Sequence, residues 1–220
     1  MDVTVVESRT IGEAWLDVTR AILADGEAAT WGPLPTVELA RLTLVVAAPD
    51  PDDPTIAELG DPEWLAWMEA NFNDGADVPE LGGARSYAAR LFDYDGRDQI
   101  AWVVERLRED PGARDAAVTT FMPLTDATYV PCVSLLDFWL PDGAVELLVY
   151  AHSLDFGKKA YGNLVELARL QRRVAGELGV PVGRLVVHVK SAHVYESERA
   201  LMERLVSETA VPRRADVPIP

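Results

Sequence analysis

The sequence predicts an α+β fold in one domain covering residues 1–220, and three observations lead there. Strand-like apolar runs, two of them joined by a tight turn, alternate with long amphipathic helices. Hydrophobic residues make up 49 % and charged residues 25 %, a globular balance that lets a chain of this length bury a core without disulfides. No internal repeat, low-complexity run or interdomain linker divides it.

The first helix is announced by Thr10-Ile11-Gly12-Glu13, a capping box, with Ile11, Trp15, Val18 and Ile22 following at helical spacing and Gly26 as the stop. Leu42–Ala48 reads as a buried strand. Pro49–Pro54, prolines interleaved with aspartates, reads as a loop. A short helix is expected over Asp61–Phe72, and the Gly- and acid-rich stretch Asn71–Gly83 as a mobile loop. Asp98–Asp110 carries Ile100, Val103, Val104 and Leu107 on one face and stops before Pro111. Arg114–Phe121 follows as a strand. Val133–Leu140 and Ala144–Ser153, joined by Pro141-Asp142-Gly143, read as a hairpin. Lys158–Leu178 is the longest helix, stopped by Gly179. Arg184–Lys190 reads as a buried strand, Glu196–Ser207 as a final helix, and Val211–Pro220 as an extended tail.

Composition excludes several functions. Twenty Lys+Arg against 36 Asp+Glu give a net charge of −16, a field that repels nucleic-acid polymers. The longest apolar runs are too short to span a bilayer, so no membrane partner is expected. The first residues lack the basic and apolar regions of a signal peptide, and the expected location is the cytoplasm. One cysteine excludes a disulfide framework within the chain. No two histidines stand four apart, so no helical metal site is predicted.

Read by themselves, the chemical candidates are few. Cys132 follows Pro131 at the start of a strand, where a cysteine is more often a buried small hydrophobe than a nucleophile. His188 alternates with valines and reads as a core histidine. His193 stands just past a strand, where ligands are often met.

The order of these pieces carries more information than any one of them. Pro131-Cys132-Val133 and Asp137-Phe138-Trp139 are followed by His152-Ser153-Leu154-Asp155, then Asn163, then Ser191-Ala192-His193-Val194-Tyr195. Upstream stand Tyr87, Asp98-Gln99-Ile100 and Pro111-Gly112-Ala113-Arg114-Asp115. Over roughly Trp64 to Pro220 this set resembles the thymidylate synthase family, which includes the pyrimidine nucleotide hydroxymethylases. The family runs Pro-Cys-His, Gln-Phe-Tyr, Gln-Arg-Ser-x-Asp, Asn and Asp-Ala-His-x-Tyr in that order.

The resemblance implies a mixed sheet with flanking helices and a homodimer formed through the sheet. It implies transfer of a one-carbon unit from 5,10-methylene-tetrahydrofolate, or a related pterin carrier, to C5 of a pyrimidine nucleotide. In such chemistry a thiolate adds to C6 and makes C5 nucleophilic, the place of Cys132. Asn163 matches the base reader, whose amide offers one donor and one acceptor. His193 and Tyr195 match the sugar-binding pair, and Ser153 lies in the substrate-binding motif. Asp155 matches the carboxylate that holds the pterin, Tyr87 a tyrosine of the proton-transfer network, and Trp67 a tryptophan packed on the cofactor. Arg114 matches a phosphate-binding arginine given across the dimer.

The departures fall on phosphate binding and on closure. His152 and Asp115 occupy places where the family has arginine, and Ala29-Thr30-Trp31-Gly32 stands where an arginine loop is expected. A mostly neutral histidine and an aspartate do not suit a phosphate dianion. Val133 replaces the histidine beside the nucleophile, and the family's closing tail has no counterpart. The usual active-site glutamate is not identified, with Glu58 and Glu63 as the nearest stand-ins. An atypical, non-phosphorylated acceptor and a non-catalytic binding protein are therefore the alternatives, and methyl and hydroxymethyl products are both open.

Overall fold

The computed structural model describes residues 3–75, 77–78, 82–123, 125–126 and 129–209. The expected tail at 211–220 lies outside them. A mixed sheet with flanking helices is what the chain builds. Its strands are β1 (Thr4–Ser8), β2 (Glu27–Trp31), β3 (Leu34–Val46), β6 (Ala117–Thr119), β7 (Val133–Trp139), β8 (Val145–Ala151), β9 (Leu154–Asp155) and β10 (Val182–Tyr195). The order is β1-β3-β10-β8-β7-β6, with β2 on β3 and β9 on β10. The pairs β2–β3, β3–β10, β6–β7 and β7–β8 are antiparallel, whereas β1–β3, β8–β10 and β9–β10 are parallel. The predicted hairpin is β7–β8, its turn a single 3-10 turn over Pro141–Gly143.

The helices are α1 (Ile11–Asp25), α2 (Pro54–Leu59), α3 (Pro62–Asn73), α4 (Tyr87–Phe92), α5 (Gln99–Glu109), α6 (Ala160–Leu178) and α7 (Glu196–Glu208). The capping box forms as read: Thr10 accepts from the Glu13 amide, and Glu13 accepts from that of Thr10. Apolar spacing buries Ile11, Trp15, Val18 and Ile22 against the sheet. α6 makes the crossover between parallel β8 and β10. Its buried Gln171 donates to the carbonyls of Val145, Gly183 and Arg184, stitching helix to both strands. Trp15 donates its indole N–H to the Phe156 carbonyl at 2.9 Å and packs on Tyr161. That contact fixes the chain between β9 and α6.

Several expectations need correcting. β3 begins eight residues earlier than the predicted strand, because its first half pairs with β2. β10 runs from Val182 to Tyr195 rather than over Arg184–Lys190, so His193 lies within a strand. β6 is shorter than Arg114–Phe121. The supposed loop at 49–54 ends in helix, with Asp53 capping α2. The supposed mobile loop is part structured: α3 continues to Asn73, and Asp77–Val78 (β4) pairs with Ala84–Arg85 (β5). His188 is exposed, not a core residue, and its Nδ1 lies 3.1 Å from the Thr43 hydroxyl. The reason is strand alternation: Leu185, Val187 and Val189 point inward, so residue 188 points out. No helix among the described residues is long and apolar enough to cross a membrane.

Candidate active site

A cavity of about 730 Å³ opens where β8, β9 and β10 end, beneath the tip of the β2–β3 hairpin. β9 and β10 are in parallel register with Asp155 beside His193. This pairing exists because the chain leaving β8 keeps following β10 for two more residues before turning into α6. The Asp155 carboxylate accepts from the Gly157 amide at 3.0 Å and is pushed up by burial, with His193 opposing. Burial pushes the His193 ring toward its neutral form, against the pull of Asp155 and Glu38. Ser153 places its hydroxyl 3.4 Å from His193 Nδ1, and the His193 ring stands edge-on to Tyr195 with centroids 5.1 Å apart.

Cys132 stands at the cavity wall just before β7, half-buried. Burial raises its thiol pKa, and the Lys159 charge acts in the opposite sense. The Tyr87 hydroxyl accepts from the Val133 amide at 3.0 Å and so holds the peptide that follows Cys132. Tyr87 itself is wedged against Phe72, ring centroids 4.4 Å apart. Its backbone N–H donates to the Asn71 side-chain carbonyl, so α3 sets the position of α4.

Asn163 lies one turn into α6. Its side-chain N–H donates to the Lys159 carbonyl at 2.9 Å, which leaves Oδ1 buried and without a partner. His193 Nε2 is also buried and unpartnered. Buried polar atoms are rarely left unpaired, and both of these residues line the cavity. Trp64 and Trp67 on α3 form the opposite wall, edge to face, with centroids 6.0 Å apart. His152 also lines the cavity, pushed toward neutrality by burial and by Lys190, with Nδ1 3.4 Å from the Ser134 hydroxyl.

The structure thus brings together Trp67, Tyr87, Cys132, His152, Ser153, Asp155, Asn163, His193 and Tyr195 in one cavity. It does not bring Arg114 there: that side chain is exposed, beyond α5. Asp115 pairs with Arg106 at 2.9 Å. Glu58 and Glu63 are exposed and outside the lining. Asp155 is the carboxylate that lines it among the described residues. Sequence reading missed Trp64 and Tyr129 as lining residues, and no local signal separates them from ordinary core aromatics.

The lining suits a flat ring carrier. Two tryptophans offer ring contacts, and the buried Asp155 carboxylate offers an acceptor for ring N–H groups.

The chain is similar in sequence to several known proteins. The family model for thymidylate synthase matches residues 52–216. A Methanopyrus kandleri protein named "Putative thymidylate synthase" is 32 % identical over 199 residues, covering 88 % of this chain and 94 % of its own. A Methanosarcina acetivorans protein of the same name is 35 % identical over 153 residues, 66 % and 70 % of the two chains. The deoxyuridylate hydroxymethyltransferase of Bacillus phage SP01 is 34 % identical over 113 residues, 49 % of this chain and 30 % of its own. With three quarters of its length matched by that model, the chain belongs to the thymidylate synthase family.

Proposed function

We propose that the protein transfers a one-carbon unit to C5 of a pyrimidine nucleotide through a covalent Cys132 adduct at C6. The observation that carries this reading is the sharing of one cavity by Cys132 and two unpartnered buried polar atoms, Asn163 Oδ1 and His193 Nε2. Sγ of Cys132, as thiolate, bonds to C6, and the C5–C6 electron pair moves toward O4 and C5. Asn163 faces the base edge: Oδ1 accepts a ring or exocyclic N–H, and the amide N–H answers a neighbouring acceptor. His193 Nε2 and the Tyr195 hydroxyl take a sugar hydroxyl. Ser153 bonds to His193 Nδ1 and so fixes which ring nitrogen faces the ligand. C5 gains a bond to the one-carbon unit and loses its hydrogen as a proton; the bond from that carbon to the carrier nitrogen breaks, the nitrogen leaving as an amine. The exposed carbon takes either a hydride from the reduced carrier (methyl product) or water (hydroxymethyl product), after which Cys132 leaves as thiolate and the ring double bond is restored.

A methylene-tetrahydrofolate-type carrier supplies the electrophilic carbon when bound. Asp155 would hold its ring N–H groups, and Trp64 and Trp67 would pack against it.

Two copies pair through the outer face of the sheet. Leu135, Trp139 and Tyr150 on β7 and β8 support this, each more than 40 % exposed and too apolar for a solvated face. In such a pair Arg114 is the residue we assign to the partner's cavity.

A second reading, an acceptor without phosphate, rests on a specific observation. No arginine lines the cavity among the described residues, and its mouth carries Trp31 and Leu34, 60 % and 50 % exposed.

The experiment is tritium release from C5-labelled dUMP, UMP, dCMP, CMP and their nucleosides, with and without methylene-tetrahydrofolate. Release from one acceptor that needs both the carrier and Cys132 establishes the reaction and names its acceptor. Product mass then separates methyl from hydroxymethyl. Absence of release from the whole panel by folded protein overturns the proposal.

A further inference from the structure

The cavity that holds Cys132 is lined by few charges, and most of them are already spoken for. Lys158 is paired with Glu198, 2.6 Å away. His152 and His193 are driven toward neutrality by burial. Lys159 has no carboxylate within ion-pair distance among the described residues. Its Nζ instead lies over two aromatic faces, 4.9 Å from the Trp64 centroid and 4.8 Å from that of Trp67.

An ammonium seated this way is attracted by both ring quadrupoles while keeping its full charge. A lysine that swung onto Asp155 would cancel the two charges; the rings hold it off. The backbone reinforces the placement. Lys159 is the N-cap residue of α6, and its carbonyl accepts both the Asn163 amide and the Asn163 side chain.

We propose that Lys159 is a positioning residue for the nucleophile, its ammonium held by Trp64 and Trp67 so that the field of an unpaired positive charge acts in the cavity that Cys132 lines. The inference rests on the reading of Cys132 as nucleophile.

The other groups facing Cys132 cannot supply that field. Asp155, from β9, opposes the thiolate. Tyr87 from α4, Tyr129 from the segment before β7, and Tyr195 at the end of β10 all have raised pKa values and stay protonated. Arg90 is committed to Asp126 through two bonds of 2.7 and 2.8 Å. Burial raises the Cys132 thiol above its ordinary value, and the Lys159 charge acts against that rise.

Because the chain has one cysteine, alkylation by iodoacetamide reports Cys132 alone. The thiolate displaces iodide and forms a thioether, so the rate follows the thiolate fraction. Rates are measured on the full chain from pH 6 to 10 for wild type, Lys159→Met and Lys159→Arg, with circular dichroism and the unfolding midpoint as fold controls. Lys159→Met moves the inflection up by about one pH unit and slows alkylation at pH 7 about tenfold. Lys159→Arg keeps the wild-type profile. A wild-type inflection in folded Lys159→Met overturns the proposal, as does a Lys159→Arg profile that matches Lys159→Met. If Cys132-dependent tritium release persists in either case, the proposed reaction stands and only the role of Lys159 falls. A wild-type thiol that reacts only after denaturation overturns both.

Discussion

The Tyr87 hydroxyl accepts the Val133 amide at 3.0 Å, tying α4 to the peptide bond directly after Cys132. Both groups are buried, so Tyr87→Phe leaves a buried N–H without a partner. The expected stability loss is about 1–3 kcal/mol, read from the urea midpoint. Turnover falls by at least about tenfold, because small displacements of a nucleophile are costly.

Asn163 Oδ1 is buried without a hydrogen-bond partner, on a residue that lines the cavity. Asn163→Ala removes it without touching Cys132. The expected outcome is a loss of about 10- to 100-fold in kcat/KM for the acceptor, the worth of one or two buried hydrogen bonds. The alkylation rate of Cys132 stays within about twofold of wild type. An unchanged kcat/KM contradicts the base-reading role.

His152 lines the cavity, its ring pushed toward the neutral form by burial and by Lys190. His152→Arg adds a permanent charge and a planar donor fork. Binding of a nucleoside monophosphate should strengthen by about tenfold relative to its nucleoside, the worth of one charge-assisted bond. Calorimetric titration with both ligands measures the ratio. No change in that ratio removes His152 from the acceptor's phosphate end.

Arg90 and Asp126 form a bidentate pair whose side chains are 2 % and 7 % exposed. Arg90→Met strands a buried carboxylate and should cost about 3–5 kcal/mol. Although burial pushes the Asp126 carboxyl up, the Arg90 bonds and charge with the Met122 amide hold it below 3.8. With the folded value depressed, the pair's stabilisation is present above the unfolded value. It is lost as pH falls through the folded one. Asp126→Asn therefore flattens the acid limb of stability below about pH 4, measured as urea midpoints from pH 5 to 2.5.

Much of the architecture was legible where local rules agree. Thr10 and Glu13 with Ile11, Trp15, Val18 and Ile22 mark α1 unmistakably, and the turn at Pro141–Gly143 marks the β7–β8 hairpin. The β2–β3 hairpin was not legible, because both strands are largely exposed around Trp31 and Leu34 and Pro33 and Pro35 argue against strand. The short α4 was missed because six residues give no period to read. His188 was misread although alternation with Leu185, Val187 and Val189 already placed it outward. At the site, ordered motifs pointed to residues that the fold gathers from α3, α4, β9, α6 and β10. Nothing in the sequence separates Lys159, one of two lysines at a helix start that could serve a phosphate or simply be solvated, from any surface charge until Trp64 and Trp67 are seen beneath it.

The central claim is a bond between Cys132 and C6 of a pyrimidine. A fluorine at C5 cannot leave as a cation, so a 5-fluoro acceptor halts the reaction with that bond intact. The measurement is the intact mass of the protein after incubation with 5-fluoro-uracil and 5-fluoro-cytosine nucleosides and monophosphates plus methylene-tetrahydrofolate, followed by peptide mapping. The expected result is a mass gain equal to acceptor plus carrier, located on the peptide containing Cys132 and absent in Cys132→Ala. Folded protein that alkylates normally with iodoacetamide, yet forms no adduct with any of these acceptors, would contradict it.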